Sequence, residues 1–190
     1  MAGVTIYFTD GSASPNPGPG GWAVIKDSMP YLIGGEYDLS FGDEDFGADS
    51  GGKNSGATDL ENSAEQAELF QAKPDPTKTT NIRMEAFALL NALDDAAGEN
   101  CEIHSDSQFW IDVLTKWAPA WAKNGWRKKG GIKNLDLVKK LFAAYRNSRA
   151  KLVWVRGHVG TELNELADKW ANEARRRGLT RPTRVDDLPK

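Results

Sequence analysis

The 190-residue sequence has one cysteine, two histidines and a net charge of only −3. It has no apolar run near the roughly 20 residues that a membrane-spanning helix needs. Each scarcity excludes something. A lone Cys101 cannot close an internal disulfide and gives no sign of a zinc cluster. Set in a β-like run, it reads as a small core residue of a cytosolic protein, with a reactive thiol as the alternative. Met1-Ala2-Gly3 leads into a strand with no basic-then-apolar leader, so the expected location is cytoplasmic. There is no internal repeat, and nothing demands more than a monomer.

The scarcity of positive charge is an average that hides a separation. Residues 35–80 hold eleven acids against Lys53, Lys73 and Lys78, a local charge of −8, which leaves +5 for the rest of the chain. Residues 116–140 carry Lys116, Lys123, Arg127, Lys128, Lys129, Lys133, Lys139 and Lys140 against Asp136 alone. A basic surface of this kind is the footprint of a polyanionic partner.

Hydrophobic periodicity gives strands at Val4–Phe8, Trp22–Ile25, Tyr31–Ile33, Cys101–Ser105 and Leu152–Val155. Helices are expected over Arg83–Ala97 and Ser107–Trp117, after an Asn134 cap, and from Thr161 onward. A Gly/Pro-rich loop, Pro15 to Gly21, joins the first two strands. The order β-β-β-α-β-α-α-β-α specifies an α/β sandwich around one mixed sheet. The expected domain covers residues 1–177, with an acidic insertion at about 43–78. Residues 178–190 are expected to be a disordered tail. The insertion reads as a solvated excursion, or else as a partner-binding or self-shielding segment. Residues 43–61 lack the odd-position spacing of an EF-hand loop.

Four acids stand in distinctive frames: Asp10 in Thr9-Asp10-Gly11-Ser12, Glu85 in Arg83-Met84-Glu85, Asp106 in Ser105-Asp106-Ser107-Gln108, and Asp168 in Ala167-Asp168. Asp10 continues the Val4, Ile6, Phe8 face to the expected end of its strand, and a short strand delivers Asp106 to a strand end likewise. Asp168 lies one helical turn after Asn164, on the same face. Taken singly, an Asp before Gly is usually a turn residue and a helical Glu is usually solvated. Gathered by one sheet, the four would make an oxygen-only site suited to Mg²⁺ or Mn²⁺. Two such ions about 3.5–4 Å apart can serve phosphodiester hydrolysis.

These frames, with Asn16-Pro17-Gly18-Pro19-Gly20-Gly21, Thr80-Asn81 and Gly157-His158-Val159-Gly160, resemble the type 1 ribonuclease H family. They occur in that family's order and span residues 4–177. The resemblance implies a ribonuclease H-like fold: a five-stranded mixed sheet, three antiparallel strands then two parallel, flanked by helices. It implies an endoribonuclease that hydrolyses the RNA strand of RNA–DNA hybrids with two Mg²⁺ ions, Mn²⁺ being an alternative, and leaves 5′-phosphate and 3′-hydroxyl ends. Asp10, Glu85, Asp106 and Asp168 would hold the metal, and His158 would be a mobile general acid or product-release residue. Gly11, Ser12, Asn16, Asn81 and Gln108 would face the hybrid's minor groove. The Trp117, Trp121 and Trp126 segment with Lys123, Arg127, Lys128 and Lys129 resembles the family's basic protrusion on the DNA strand, although Trp117 completes an apolar stripe and is expected to pack in the core. Without the resemblance, His158 is a surface-loop histidine, His104 is structural and Asn16 is as readily simple turn chemistry.

The chain departs from the family pattern at Ile82, where a second Asn is frequent, at Ala122 and Asn124 in the protrusion, and in the length of the acidic insertion. Two other readings stay open: the same fold acting on double-stranded RNA or DNA, and a nucleic-acid-binding module without chemistry. Loss of one carboxylate would have favoured the second, and all four are present.

Overall fold

A computed structural model describes residues 3–37, 39, 78–157 and 161–189. All but residue 39 belong to one compact unit made of 1–37 and 75–190. Apart from Lys78, the acidic insertion lies outside the described residues, and so does His158.

Three antiparallel strands, β1 (Thr5–Ala13), β2 (Gly20–Lys26) and β3 (Met29–Gly34), form a meander. On the other side of β1, β4 (Asn100–Ser105) and then β5 (Arg149–Trp154) add in parallel. The β1–β4 register sets Phe8 beside His104 and Thr9 beside Ser105. Because side chains alternate along a strand, Asp10 and Asp106, each two residues on from the Phe8–His104 pair, continue one face on neighbouring strands.

The first helix, α1 (Asn81–Ala96), is apolar over most of its circumference. Met84, Ala86, Phe87, Ala88, Leu89, Leu90, Leu93 and Ala96 are all buried, so it is a core helix rather than a surface one. Thr80 caps it, its hydroxyl accepting from Arg83 N at 3.3 Å. The last helix, α5 (Glu162–Arg176), covers the opposite face of the sheet, where Ala167 packs with Phe8 and Ile25, and Ala171 and Ala174 pack with Ala23 and Ile33.

Arg83 ties α1 to two other segments. Its guanidinium reaches Glu36 at 2.7 Å and Asp136 at 3.0 Å, and the Glu36 side chain is nearly inaccessible to water. Truncating one partner of such a pair strands a buried charge. Arg83→Ala should therefore cost about 3 kcal/mol in urea unfolding. A loss below about 1 kcal/mol would show that Glu36 finds water or another donor.

Several expectations need correction. The sheet has six strands, because β6 (Thr183–Arg184) pairs antiparallel with β3. The segment beyond Gly178 is therefore placed rather than disordered. Leu179, Val185 and Leu188 pack against the Ala23, Ile33, Ala171, Ala174 cluster, and Arg184 Nη1 donates to Tyr31 Oη at 2.7 Å. These are tertiary contacts, invisible in an Arg- and Pro-containing segment read alone.

Next, β1 runs on to Ala13, so Asp10 sits within the strand and not at its end. The 107–117 helix is broken into α2 (Gln108–Asp112) and a π turn (Val113–Trp117), followed by α3 (Ala118–Lys123). Ala118 N donates to Val113 O, five residues back, and Pro119 has no N–H to carry the α-ladder onward. The extra residue turns later side chains by about 100°, and Trp117, expected in the core, is 41% exposed. Lastly, Asn134 precedes α4 (Leu135–Asn147) in a left-handed conformation without a side-chain cap bond; its Oδ1 accepts from Arg83 Nη1 instead.

Candidate active site

Close approach of backbones assembles the site. Gly11, directly after Asp10, lies so near the start of α1 that a Cβ there would collide with the Glu85 amide nitrogen and the Met84 carbonyl carbon. Glycine at this position lets β1 touch the helix that carries Glu85. At the end of β5, a Cβ on Gly157 would fall 2.6 Å from Asp106 Oδ2. The same segment braces Asp106 through its backbone: Val155 N donates to Ser105 O at 3.0 Å and Trp154 Nε1 to Asp106 O at 3.2 Å. Gln108 N also donates to Asp106 O, at 3.0 Å.

Asp10 is 8% exposed. Its Oδ1 accepts from Gly11 N at 2.7 Å. Burial first, and then the charges of Asp106, Asp168 and Glu85, push its carboxyl up to about 8 against the Gly11 bond. Glu85 is pushed up to about 7 by burial and by Asp106, although Ser107 Oγ donates to its Oε2 at 2.5 Å. The structure thus brings Asp106, Asp168 and Glu85 within electrostatic reach of Asp10, and Asp106 within reach of Glu85.

Asp95 supplies the contrast. It is also partly buried, yet it accepts from Tyr31 Oη at 2.6 Å, Tyr7 Oη at 2.7 Å and Lys26 Nζ at 2.7 Å. Burial alone would raise its carboxyl, but those three donors hold it below the ordinary carboxylate range. No lysine or arginine among the described residues plays that part for Asp10 or Glu85. Asp95 has its cation supplied by the fold; among the described residues the Asp10 cluster has none.

This donor set fits a hard divalent cation such as Mg²⁺: oxygen-only, uncompensated and partly dehydrated. Among the described residues, no three acidic, histidine or cysteine side chains are gathered closely enough to hold an ion as they stand.

The remaining residues expected in the site divide. Ser12 Oγ donates to Asn172 Oδ1 at 3.0 Å, and Asn172 Nδ2 donates to Asp168 Oδ1 at 3.0 Å. Asn81 Oδ1 accepts from Ala13 N at 2.6 Å, and Asn81 N donates to exposed Asn16 Oδ1 at 3.4 Å, so the two amides lie at the end of β1. Gln108 is turned along its own helix, with Nε2 donating to Asp112 Oδ1 at 2.9 Å. Lys123, Arg127 and Lys128 are exposed, and Lys128 Nζ lies 5.2 Å from the Trp121 ring centroid. Trp126, at φ 61°, instead packs edge-on to Phe142 with ring centroids 5.8 Å apart. Trp117 extends the Trp121 surface, at 6.1 Å between centroids.

The description RNase H belongs to the family model that matches residues 47–176. The chain belongs to the ribonuclease H family. Among its relatives, "Ribonuclease H" of Treponema pallidum is 33% identical over 183 residues, covering 93% of this chain and 92% of that protein. "Ribonuclease H" of Methylorubrum extorquens is 32% identical over 187 residues, covering 97% of this chain and 66% of that longer protein. The solved structure of LC9-RNase H1, described as a type 1 RNase H with the type 2 active-site motif, aligns with a TM-score of 0.59 at 23% identity. It covers 98% of this chain and 77% of that one, and supports the ribonuclease H-like fold alone.

Ser107, Asn172, Trp154 and Gly157 touch the acids of this site, yet none was singled out from the sequence for such a role. Ser107 and Gly157 stood in the quoted frames without a role of their own, and Asn172 left a signal as an amide at i+4 from Asp168 on a helix.

Proposed function

We propose that this ribonuclease H family member is an endoribonuclease that hydrolyses the RNA strand of RNA–DNA hybrids, leaving 5′-phosphate and 3′-hydroxyl ends. The observation that carries the reading is the buried Asp10 beside three further carboxylates, with no lysine or arginine among the described residues acting on it. Asp10, Glu85, Asp106 and Asp168 would hold Mg²⁺, two ions per site, with Mn²⁺ as an alternative. When bound, such ions neutralise a phosphate undergoing displacement and sharpen the nucleophilicity of water.

The chain's own residues would do the rest. Ser107 orients Glu85, and the Trp154–Gly157 segment fixes Asp106. His158 would pass a proton to the leaving oxygen or help release product. Gly11, Ser12, Asn16 and Asn81 would face a minor groove carrying 2′-hydroxyls, with little sequence dependence. Gln108 would have to leave Asp112 to join them. Lys123, Arg127 and Lys128, with the Trp121 surface, would bind the DNA strand through phosphates and stacking, while Trp126 supports that surface from behind. The protein would act as a cytoplasmic monomer.

Matched hybrid, RNA duplex and DNA duplex substrates, each with Mg²⁺ and with EDTA, test the proposal. Cleavage of the hybrid's RNA strand alone, and only with the metal, is expected. Equal cutting of the RNA duplex would assign the fold to a different polynucleotide, and cutting in EDTA would remove the metal from the reading.

A further inference from the structure

Of the four acids, Asp168 and Glu85 stand on helices, and Asp168 is half-buried on α5. Among the described residues, the side chain that holds its carboxylate is Asn172, one turn later on α5. Asn172 Nδ2 donates to Asp168 Oδ1 and to the Asp168 carbonyl, both at 3.0 Å. Asn172 Oδ1 accepts from Ser12 Oγ at 3.0 Å and from Arg175 Nη2 at 3.2 Å. Both acceptors lie on the nitrogen side of the amide and both donors on the oxygen side. Exchanging N and O would set the amide oxygen against two Asp168 oxygens and the amide nitrogen against the Arg175 guanidinium, so these contacts fix the orientation; the Ser12 hydroxyl could serve either way.

Two physical consequences follow. The amide cross-links α5 to β1 at Ser12, two residues beyond Asp10, and so ties the Asp168 side chain to the strand that carries the deepest acid of the cluster. It also holds the carboxylate without cancelling it. A cation in direct contact would neutralise Asp168, whereas the neutral amide keeps the Arg175 guanidinium on its far side, bonded to the oxygen. We infer that Asn172 is a positioning residue: anchored to Ser12, it keeps the charged Asp168 side chain turned to the Asp10 cluster and presents it to a divalent cation. This rests on the metal-dependent reading proposed above.

Calorimetric titration of the hybrid-free protein with Mn²⁺ tests it, alongside the Mg²⁺ dependence of hybrid cleavage. Loss of a group that orients a metal ligand typically weakens metal affinity by about ten- to a hundredfold. Asn172→Ala, and the similarly sized Asn172→Leu, should each raise the Mn²⁺ dissociation constant and the half-saturating Mg²⁺ concentration about tenfold, with hybrid KM within about twofold of the parent. In an Asp168→Ala background, adding Asn172→Ala should change neither quantity, because the residue acts through Asp168. Unchanged Mn²⁺ affinity in both Asn172 variants, or a further loss in the Asp168→Ala background, overturns the inference. Asp10→Asn separates the levels. If it too leaves Mn²⁺ binding intact, the metal reading fails; if it abolishes binding while the Asn172 variants do not, the positioning role alone fails.

Discussion

Asp10→Asn should lower hybrid cleavage by at least about a hundredfold, because disturbing a group that merely orients a metal ligand already costs about ten- to a hundredfold. The same substitution should stabilise the metal-free protein at pH 8. Asp10 is buried beside Asp106, Asp168 and Glu85, and its carboxyl is raised to about 8, so the folded chain binds that proton more tightly than the unfolded chain does. The stabilising contribution of the protonated form is therefore complete below the unfolded carboxylate range, near pH 4, and is lost as pH rises through about 8. Asparagine keeps the shape and removes the ionisation. In EDTA, the parent's melting temperature should fall between pH 5 and 8.5 while that of Asp10→Asn stays flatter. The gap at pH 8.5 should be about 2–4 kcal/mol after allowance for relaxation and water entry. Mg²⁺ competes with the proton for the same oxygens, so it should stabilise the parent more at pH 8.5 than at pH 6, and cleavage should rise over that range. Parallel pH–stability curves for the two proteins in EDTA would contradict the burial of an uncompensated Asp10.

The second large effect is expected at Gly11. A methyl group there meets the backbone of Met84 and Glu85, which cannot rotate away as a flexible side chain could. Gly11→Ala must push β1 from α1 and carry Asp10 away from Glu85. A cost of about 3 kcal/mol in urea unfolding is expected, the upper range for overpacking. Cleavage should fall by more than the change in folded fraction explains. Gly3→Ala is the control: nothing lies within 4 Å of a Cβ at Gly3, so its stability should match the parent's. If Gly11→Ala were equally silent, the close approach of strand and helix would be wrong.

The central acids were legible in the sequence because each sits in a local frame that a strand or helix presents as a unit. Alternation carried Phe8 to Asp10, and i, i+4 spacing carried Asn164 to Asp168. The five longer strands were legible for the same reason. What escaped depends on distant partners. Two residues, Thr183 and Arg184, become a strand only because β3 offers an edge and Val185 and Leu188 find the α5 core cluster. Trp117 lay on an apolar stripe at α-helical spacing until the π turn before Pro119 rotated it outward. Trp126 had the composition of a binding aromatic, yet it stacks edge-on to Phe142 of α4. The roles of Gly157 and Trp154 at Asp106 cross 51 and 48 residues of chain, and no period or spacing announces them.

Crystals of the protein grown with Mn²⁺ bear most directly on the claim that these four acids share a divalent cation. Anomalous difference density in contact with the Asp10 carboxylate and with at least one of Glu85, Asp106 and Asp168 is the expected result. Mn²⁺ density found only away from Asp10, for a protein that cuts hybrid with Mn²⁺ in solution, would contradict it.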